Sequence, residues 1–314
     1  MSASYLVTGG AGFIGSNLVD ELLARGDKVR ILDNFSTGLR ANLIHVQDDI
    51  ELMEGDIQSY ERVHNAVRGV DYVIHLAALP SVPRSVQDPL TTHQVNTTGT
   101  LNVLLAARDQ DVKRVVIASS SSVYGANPTL PKSEDMLLVP ISPYGVSKMA
   151  AERYCRAFSE VYNLETVAVR YFNVFGPRQN PNSQYSAVIP KFLDLARKGE
   201  RPVIFGDGKQ TRDFTYVRNV IEGTLLAVGV PDASGLAMNV ACGETISLLE
   251  LVGMMERVLG VSIECDFQPA RAGDIHDSYA DISLARSTLG YRPEISVEQG
   301  LALLNEWDTR SMPE

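Results

Sequence analysis

The segment Ser142-Pro143-Tyr144-Gly145-Val146-Ser147-Lys148 brings two groups able to move a proton within one helical turn of each other. Ser followed by Pro reads as a helix start: the Ser oxygen accepts from the first free N–H groups, and Pro fits the first helical position. A helix starting there places Tyr144 and Lys148, four residues apart, on one face. A tyrosine ordinarily gives up its proton near pH 10, and an ammonium beside it favours the phenolate. A value lower by about three pH units, worth about 4 kcal/mol, makes a base usable near neutrality. Taken alone, Tyr-x-x-x-Lys is a solvated pair on most helices. Its weight comes from the elements upstream.

Ser4 to Thr8 is a short apolar run. It leads into Gly9-Gly10-Ala11-Gly12-Phe13-Ile14-Gly15 and then a helical pattern from Ser16 to Arg25. Glycines between a strand and a helix let the backbone turn tightly and approach a pyrophosphate at the helix N-terminus. A second strand, Lys28 to Leu32, ends at Asp33, where a carboxylate suits a ribose 2′-hydroxyl and repels a 2′-phosphate. NAD is therefore favoured over NADP. Without the acid at the second strand end, the glycine loop would read equally well as a structural turn.

The alternation continues. Strand Ile50 to Met53 leads to Asp56, an acceptor for an adenine amino group or a turn residue. Helix Ser59 to Val67 is followed by strand Val70 to Leu76, which ends in Ala77-Ala78, small enough for a cofactor to lie close. Helix Thr91 to Arg108 carries Asn96. Strand Lys113 to Ala118 runs into Ser119-Ser120-Ser121-Ser122. Helix Pro143 to Tyr162 precedes strand Thr166 to Tyr171, with Asn173 just beyond. Repeated strand–helix units imply an α/β, doubly wound parallel sheet, which binds ligands at the C-terminal ends of its strands. The glycine loop, Asp33, Asp56, Ala77, the serine run and Asn173 all fall at such ends.

After Gly176 the rhythm changes. Helices are expected at Ala187 to Lys198, Val217 to Val228, Leu248 to Leu259 and Val297 to Asp308, with short strands at Val203 to Phe205 and Ala237 to Val240. The chain is read as a dinucleotide-binding domain over 1–176 and a smaller mixed α/β substrate domain over 177–314, with later segments free to return to the first. The net charge of −10, from 28 basic and 38 acidic residues, argues against general nucleic-acid binding. Cys155, Cys242 and Cys265 show no metal-ligand spacing and no disulfide framework, which fits a reducing compartment. No apolar run is long enough for a bilayer and no secretory signal opens the chain, so a cytoplasmic protein without a metal is expected.

The segments TGGAGFIGS, DNFSTG, GDI, HLAAL, ASSSSVYG, SPYGVSK, RYFNVFGPRQ, TRDFTYVRNV and RAGD occur in that order along nearly the whole chain. With them the chain resembles the extended short-chain dehydrogenase/reductases, and within these the nucleotide-sugar 4-epimerases of the UDP-galactose and UDP-N-acetylglucosamine type. The resemblance implies a Rossmann-type fold, bound NAD, a UDP-sugar substrate and a homodimer joined by the helices Thr91 to Arg108 and Pro143 to Tyr162. It assigns Ser120, Tyr144 and Lys148 as the catalytic set. It places NAD against Gly9, Gly12, Phe13, Ile14, Gly15, Asp33, Asn34, Ser36, Thr37, Gly38, Asp56, Ile57, Leu76, Ala77, Ala78, Asn96, Tyr144, Lys148 and Tyr171. Tyr144 would take the O4 proton as C4 passes a hydride to NAD, Ser120 would hold or relay that proton, and the 4-keto sugar would turn and be reduced on its other face.

For the substrate, the resemblance implies a diphosphate clamp from Arg212 and Arg271, Asn173 on the diphosphate or sugar, Val203 and Phe205 on the uracil, and Asp274 on the uridine ribose. Dehydratases and decarboxylases of the family carry acids just before VYG; Ser121 and Ser122 stand there in this chain, which argues for plain epimerisation. Phe214 replaces a common Tyr, and Pro80 a Lys found in many galactose-type enzymes. Ser278 aligns with a pocket wall where a bulky Tyr admits only a 2-hydroxyl and a small residue admits a 2-acetamido group. Ser81 and Arg84 in SVPRS, and Ala187 and Val188 in NPNSQYSAVIPK, also resemble the N-acetylhexosamine enzymes, whereas ASSSSVYG is shared with UDP-glucuronate 4-epimerases. The expected substrates are UDP-N-acetylglucosamine and UDP-N-acetylgalactosamine, with UDP-glucose and UDP-galactose, or UDP-glucuronate, as alternatives.

Overall fold

The computed structural model describes residues 2–180, 188–270 and 276–311. The first half runs β1 (Ser4–Thr8), α1 (Phe13–Ala24), β2 (Lys28–Asp33), β3 (Ile50–Glu54), α2 (Tyr60–Val67), β4 (Tyr72–His75), α3 (Val82–Gln87), α4 (Pro89–His93), α5 (Gly99–Asp109), β5 (Arg114–Ser120), α6 (Pro143–Tyr162) and β6 (Glu165–Tyr171). The second runs β7 (Val174–Phe175), α7 (Val188–Arg197), β8 (Val203–Phe205), β9 (Thr211–Arg212), β10 (Thr215–Tyr216), α8 (Val217–Gly229), β11 (Ala237–Val240), β12 (Ile246–Ser247), α9 (Leu248–Leu259), β13 (Asp266–Gln268), β14 (Asp277–Ser278), α10 (Ser283–Leu289) and α11 (Val297–Ser311).

Seven strands form one sheet in the order β11-β6-β5-β4-β1-β2-β3, every pairing parallel. The fold is the expected doubly wound, Rossmann-like α/β sheet. The chain winds outward from β1 to β3 in one direction and from β4 to β11 in the other, so the strand order reverses between β1 and β4, the place such sheets leave open for a ligand. Strand β11 comes from the second half of the chain and forms the sheet edge beside β6. Buried side chains of α2, α5 and α6, including Val63, Leu104 and Phe158, cover one face. Those of α1 and α8, including Leu18, Leu22 and Val220, cover the other. A parallel strand buried on both faces needs a continuous apolar run, which Leu6-Val7 and Val115-Val116-Ile117 supply.

Helix α6 begins where its cap signal predicts. Ser142 accepts from the Gly145 N–H at 3.1 Å, Pro143 is the first helical residue, and Asn163 closes the helix in a left-handed conformation. The stretch expected as one helix from Thr91 opens earlier, because Asp88 accepts from the Thr91 N–H at 3.0 Å and Pro89 follows it. A π turn over Gln94–Thr98 then precedes α5. Strand β5 extends to Ser120, so Ser119 and Ser120 are sheet residues paired with Arg170 and Tyr171.

Candidate active site

The end of β1 sets the floor of the site. Gly9 has φ +73°, and a Cβ there would lie 2.7 Å from the Ala77 amide nitrogen, so only glycine lets the β1 and β4 ends meet. Gly15, in the first turn of α1, sits with its missing Cβ 2.2 Å from the Gly9 carbonyl oxygen. These contacts leave a bare backbone cradle at a helix N-terminus, the place that favours an anion. Asp33 closes the second strand end. Its buried carboxylate accepts from Ala11 N–H at 2.9 Å and Phe35 N–H at 2.8 Å, and burial pushes it above the usual carboxylate range.

A cavity of about 570 Å³ lies over this floor. Of the residues expected around NAD, Gly9, Gly12, Phe13, Ile14, Gly15, Asp33, Asn34, Ser36, Thr37, Gly38, Ile57, Leu76, Ala77, Ala78, Tyr144, Lys148 and Tyr171 line it. The sugar-side residues Ser81, Arg84, Ser120, Ser121, Ser122 and Asn173 line the same space. Two expected cofactor residues do not. Asp56 is engaged by the Asn34 amide at 2.8 Å and the Gln58 N–H at 2.8 Å. Asn96 is buried in the π turn, where its Oδ1 accepts from Leu79 N–H at 2.8 Å and its Nδ2 donates to Ser147 Oγ at 3.1 Å. It therefore braces the Leu76–Leu79 segment from behind.

Tyr144 and Lys148 lie on one wall, as the helix period requires. Lys148 Nζ donates to the Ala118 carbonyl at 2.8 Å and stands 5.9 Å from the Tyr144 ring centroid. Burial brings the ammonium down to about 8, against the opposing pull of Glu152. The expected lowering of the Tyr144 phenol by Lys148 is not what this arrangement gives. Burial raises Tyr144, and the hydrogen bond with the Ser120 side chain works the other way without overcoming it. Desolvation of the phenolate dominates, and the Lys148 ammonium, 5.9 Å from the ring centroid, does not offset it. Beneath the site, buried His75 bonds Thr8 Oγ1 at 2.7 Å and Thr100 Oγ1 at 3.0 Å, and is held down to about 3, first by burial and then by Lys148.

A second cavity of about 350 Å³ shares Asn173 and Val174 with the first in its lining. Val188, Val203, Phe205 and Arg212 line it, an apolar pair beside a guanidinium. Arg212 Nη1 donates to the Thr211 and His276 carbonyls at 2.8 and 2.9 Å. Ser278 pairs with Arg212 in the β9–β14 register, and its carbonyl accepts from Asp213 N–H at 3.0 Å; it lines neither cavity. Ala187, Arg271 and Asp274 lie outside the described residues. The walls also hold residues not expected from sequence. Gln179 reaches the first cavity, its amide donating to the Val174 carbonyl at 3.1 Å, and Gln210 and Lys191 line the second. Gln179 is the last residue of the RYFNVFGPRQ segment, and that membership was its available signal.

A strand–glycine loop–helix cradle, an acid at the second strand end and a Tyr/Lys wall over the sheet switch point define a parallel α/β protein of the kind that binds a nicotinamide dinucleotide. The sequence matches the model of the NAD dependent epimerase/dehydratase family over residues 5–241, and the chain belongs to that family, among the extended short-chain dehydrogenase/reductases. It is 40% identical over 301 residues to a UDP-glucose 4-epimerase of Mycolicibacterium smegmatis, covering 95% of this chain and 96% of that protein. It is 32% identical over 320 residues to a UDP-glucuronate 4-epimerase of Thermodesulfobacterium geofontis, covering 98% and 97%. The structure of a UDP-N-acetylglucosamine 4-epimerase from Methanobrevibacter ruminantium M1, in complex with UDP-N-acetylmuramic acid, superposes with a TM-score of 0.94 at 39% identity over 99% of both chains.

The residues present fit NAD. The cradle has no room for side chains, and Asp33 supplies a carboxylate with no cation beside it among its hydrogen-bond partners. Among the described residues no group of three His, Cys, Asp or Glu side chains is placed to hold a metal ion, and no helix is long and apolar enough to cross a membrane.

Proposed function

We propose that the chain is an NAD-dependent isomerase that inverts C4 of UDP-N-acetylglucosamine and UDP-N-acetylgalactosamine through a transient 4-keto sugar. The UDP-sugar 4-epimerase class rests on the family and on relatives that match over the whole chain. The observation that carries the chemical reading is the convergence of Ser120, Tyr144 and Lys148 on the wall of a cavity that also holds the glycine cradle. The glycine cradle and Asp33 would hold NAD, which would supply a hydride acceptor and donor for C4 and a cationic ring that favours a nearby phenolate. Tyr144 takes the O4 proton and gives it back. Ser120, on the same wall as Tyr144 and donating from Oγ to Ser122 Oγ at 3.2 Å, holds O4 in line and carries the proton between them. Lys148 fixes a ribose hydroxyl and keeps a positive charge beneath the phenol. Arg212, with Val203 and Phe205, anchors the uridine diphosphate in the second cavity while the sugar turns in the first.

The acetamido preference rests on the resemblance, which aligns the small Ser278, paired with Arg212 though outside both cavities, with the family's pocket wall, and on the SVPRS segment that caps α3. The serine-lined wall, Ser119 to Ser122, favours UDP-glucuronate as the second reading. Purified protein assayed side by side with UDP-N-acetylglucosamine, UDP-glucose and UDP-glucuronate, without added NAD, decides among them. Faster turnover of the first supports the proposal, and turnover of the uronate alone overturns the sugar assignment. Tyr144→Phe should lower kcat by about 10³-fold or more with UDP-sugar binding retained, the loss expected when a proton-transfer group is removed. A homodimer through α5 and α6 belongs to the same proposal, because Val146, Tyr154 and Val161 of α6 are exposed in the isolated chain. A sedimentation measurement giving only monomer at micromolar concentration would remove that part.

A further inference from the structure

Helix α6 carries a third polar side chain in step with Tyr144 and Lys148. Glu152 follows Lys148 by four residues, so it continues the same stripe one turn deeper. It is buried, and its carboxylate is held from two strands. Ser119 Oγ donates to Oε1 at 2.5 Å. Arg170 grips both oxygens, Nε to Oε1 at 2.9 Å and Nη2 to Oε2 at 2.8 Å, with both side chains only 4% exposed. Ser119 and Arg170 are direct partners in the β5–β6 register, so one carboxylate spans the sheet pair from the helix side. Arg170 then donates to Tyr124 Oη at 2.8 Å, and Tyr124 to Asn239 Oδ1 at 2.7 Å, carrying the chain of contacts to β11.

We infer that Glu152 is a positioning residue of the reaction: its carboxylate clamps the Ser119–Ser120 strand end to helix α6 and, paired with Arg170, is the anion one helical turn from Lys148. The clamp follows from chain geometry. Ser120 is bonded to Ser119, and Lys148 stands one turn from Glu152, so a single group fixes the strand end and the helix that must face each other across the sugar. The electrostatic role follows from the neighbours. Arg170 on β6 and Lys148 on α6 are both cations, and His75 on β4 faces Lys148. Cys155 on α6 faces Glu152, and Tyr124 and Glu134, from the segment after β5, face Arg170. Glu152 is the group that raises Lys148 against its burial. Without its charge, Lys148 would share the interior with Arg170 uncompensated.

The inference rests on the epimerase reading, and its test separates the two. In protein labelled with ¹³Cε-lysine, the Lys148 signal, assigned by its loss in Lys148→Met, is titrated without substrate in wild type and Glu152→Gln. The titration should move down by about one pH unit or more, the effect of removing a unit charge one helical turn away at an effective dielectric near 20. The high-pH limb of kcat/KM should move down with it, and Glu152→Asp should restore both. Simple loosening would admit water and move Lys148 up instead, so an unmoved or raised titration overturns the inference. Ser119→Ala keeps the charge and removes one arm of the clamp. It should lower kcat about tenfold at unchanged KM, and wild-type kcat there overturns the clamp even if Glu152→Gln does not fold. A wild type that epimerises no UDP-hexose at C4 would instead sink the reading on which the inference stands.

Discussion

Gly15→Ala is the sharpest perturbation the cradle offers. The added Cβ would lie 2.2 Å from the Gly9 carbonyl oxygen and 2.8 Å from Gly10 Cα, against the 3.0 Å that real Cβ atoms keep. Both obstacles are backbone, so no rotamer change relieves them. Gly9 cannot simply retreat, because its oxygen accepts the Gly12 N–H at 3.1 Å and its own α-carbon side is pressed against Ala77. Either α1 shifts along its axis or the loop opens and that hydrogen bond breaks. A forced backbone shift costs about 1–3 kcal/mol and a lost hydrogen bond about 1 more, so unfolding free energy should fall by about 2–4 kcal/mol. That is a large share of a typical 5–15 kcal/mol total, and the fold should survive weakened. The loop movement also spoils the row of N–H groups facing the pyrophosphate, so NAD should be lost on dialysis. Urea unfolding and the nucleotide absorbance of dialysed protein read the two effects. Gly253→Ala, in the middle of α9 with only the Arg257 guanidinium 3.7 Å from the new methyl, is the control and should add about 0.5–1 kcal/mol. A Gly15→Ala protein with wild-type urea midpoint and full nucleotide content would refute the reasoning.

Two further outcomes follow from the geometry. His75 is buried and neutral, binding no proton in the folded chain until about pH 3, whereas the unfolded chain takes one near 6.5. Its contribution is therefore complete above pH 6.5 and lost as the pH falls toward 3, by up to about 1.4 kcal/mol per pH unit. His75→Gln should flatten the stability–pH curve in that window, and parallel curves for variant and wild type between pH 4 and 6 would contradict the assignment. Ser278→Tyr should cut kcat/KM for UDP-N-acetylglucosamine by about tenfold or more while leaving UDP-glucose within about threefold, as expected when a side chain fills the space of one substituent; equal effects on both sugars would place the acetamido pocket elsewhere.

Much of the site was legible because its signals are local. The Ser142-Pro143 cap fixed the start of α6, and its observed span, Pro143–Tyr162, is the one expected. Strands β1 and β8, helix α9 and β11 also match their expected bounds, each marked by an apolar run with a glycine, proline or cap beside it. What the sequence hid depends on partners far along the chain. The two-residue strands β9, β12 and β14 have no period to read, and exist because Thr211-Arg212 finds Ile246-Ser247 on one side and Asp277-Ser278 on the other. Asn96 was expected against the cofactor by resemblance, and its contacts to Leu79 and Ser147 in the π turn could not be read from that. The sign of the shift at Tyr144 was missed for the same reason: spacing shows that a lysine is near, but not that burial of the phenol outweighs it.

The junction between the cavities explains how such a site tolerates a substrate that must turn over. Asn173, at the meeting point, adopts a left-handed φ of +31°, donates from Nδ2 to the Asp213 carbonyl at 3.1 Å, and accepts from Thr215 N–H at 3.3 Å. Directly beyond it, β7 pairs with β10, so the wall on the anchor side is stitched by backbone. Asp213 extends the stitching, its buried carboxylate accepting from the N–H groups of Cys242, Gly243 and Ala280 at 2.9–3.2 Å. On the other side of the junction the wall is Ser120, Ser121 and Ser122, short side chains with hydroxyls that donate or accept as needed. Under the proposed mechanism this asymmetry is a requirement. Inverting C4 means presenting both faces of one carbon to one hydride position, so the diphosphate must stay fixed while the ring it carries is held by few and interchangeable hydrogen bonds. A sugar side that gripped the ring through many directed hydrogen bonds would bind one epimer well and convert neither.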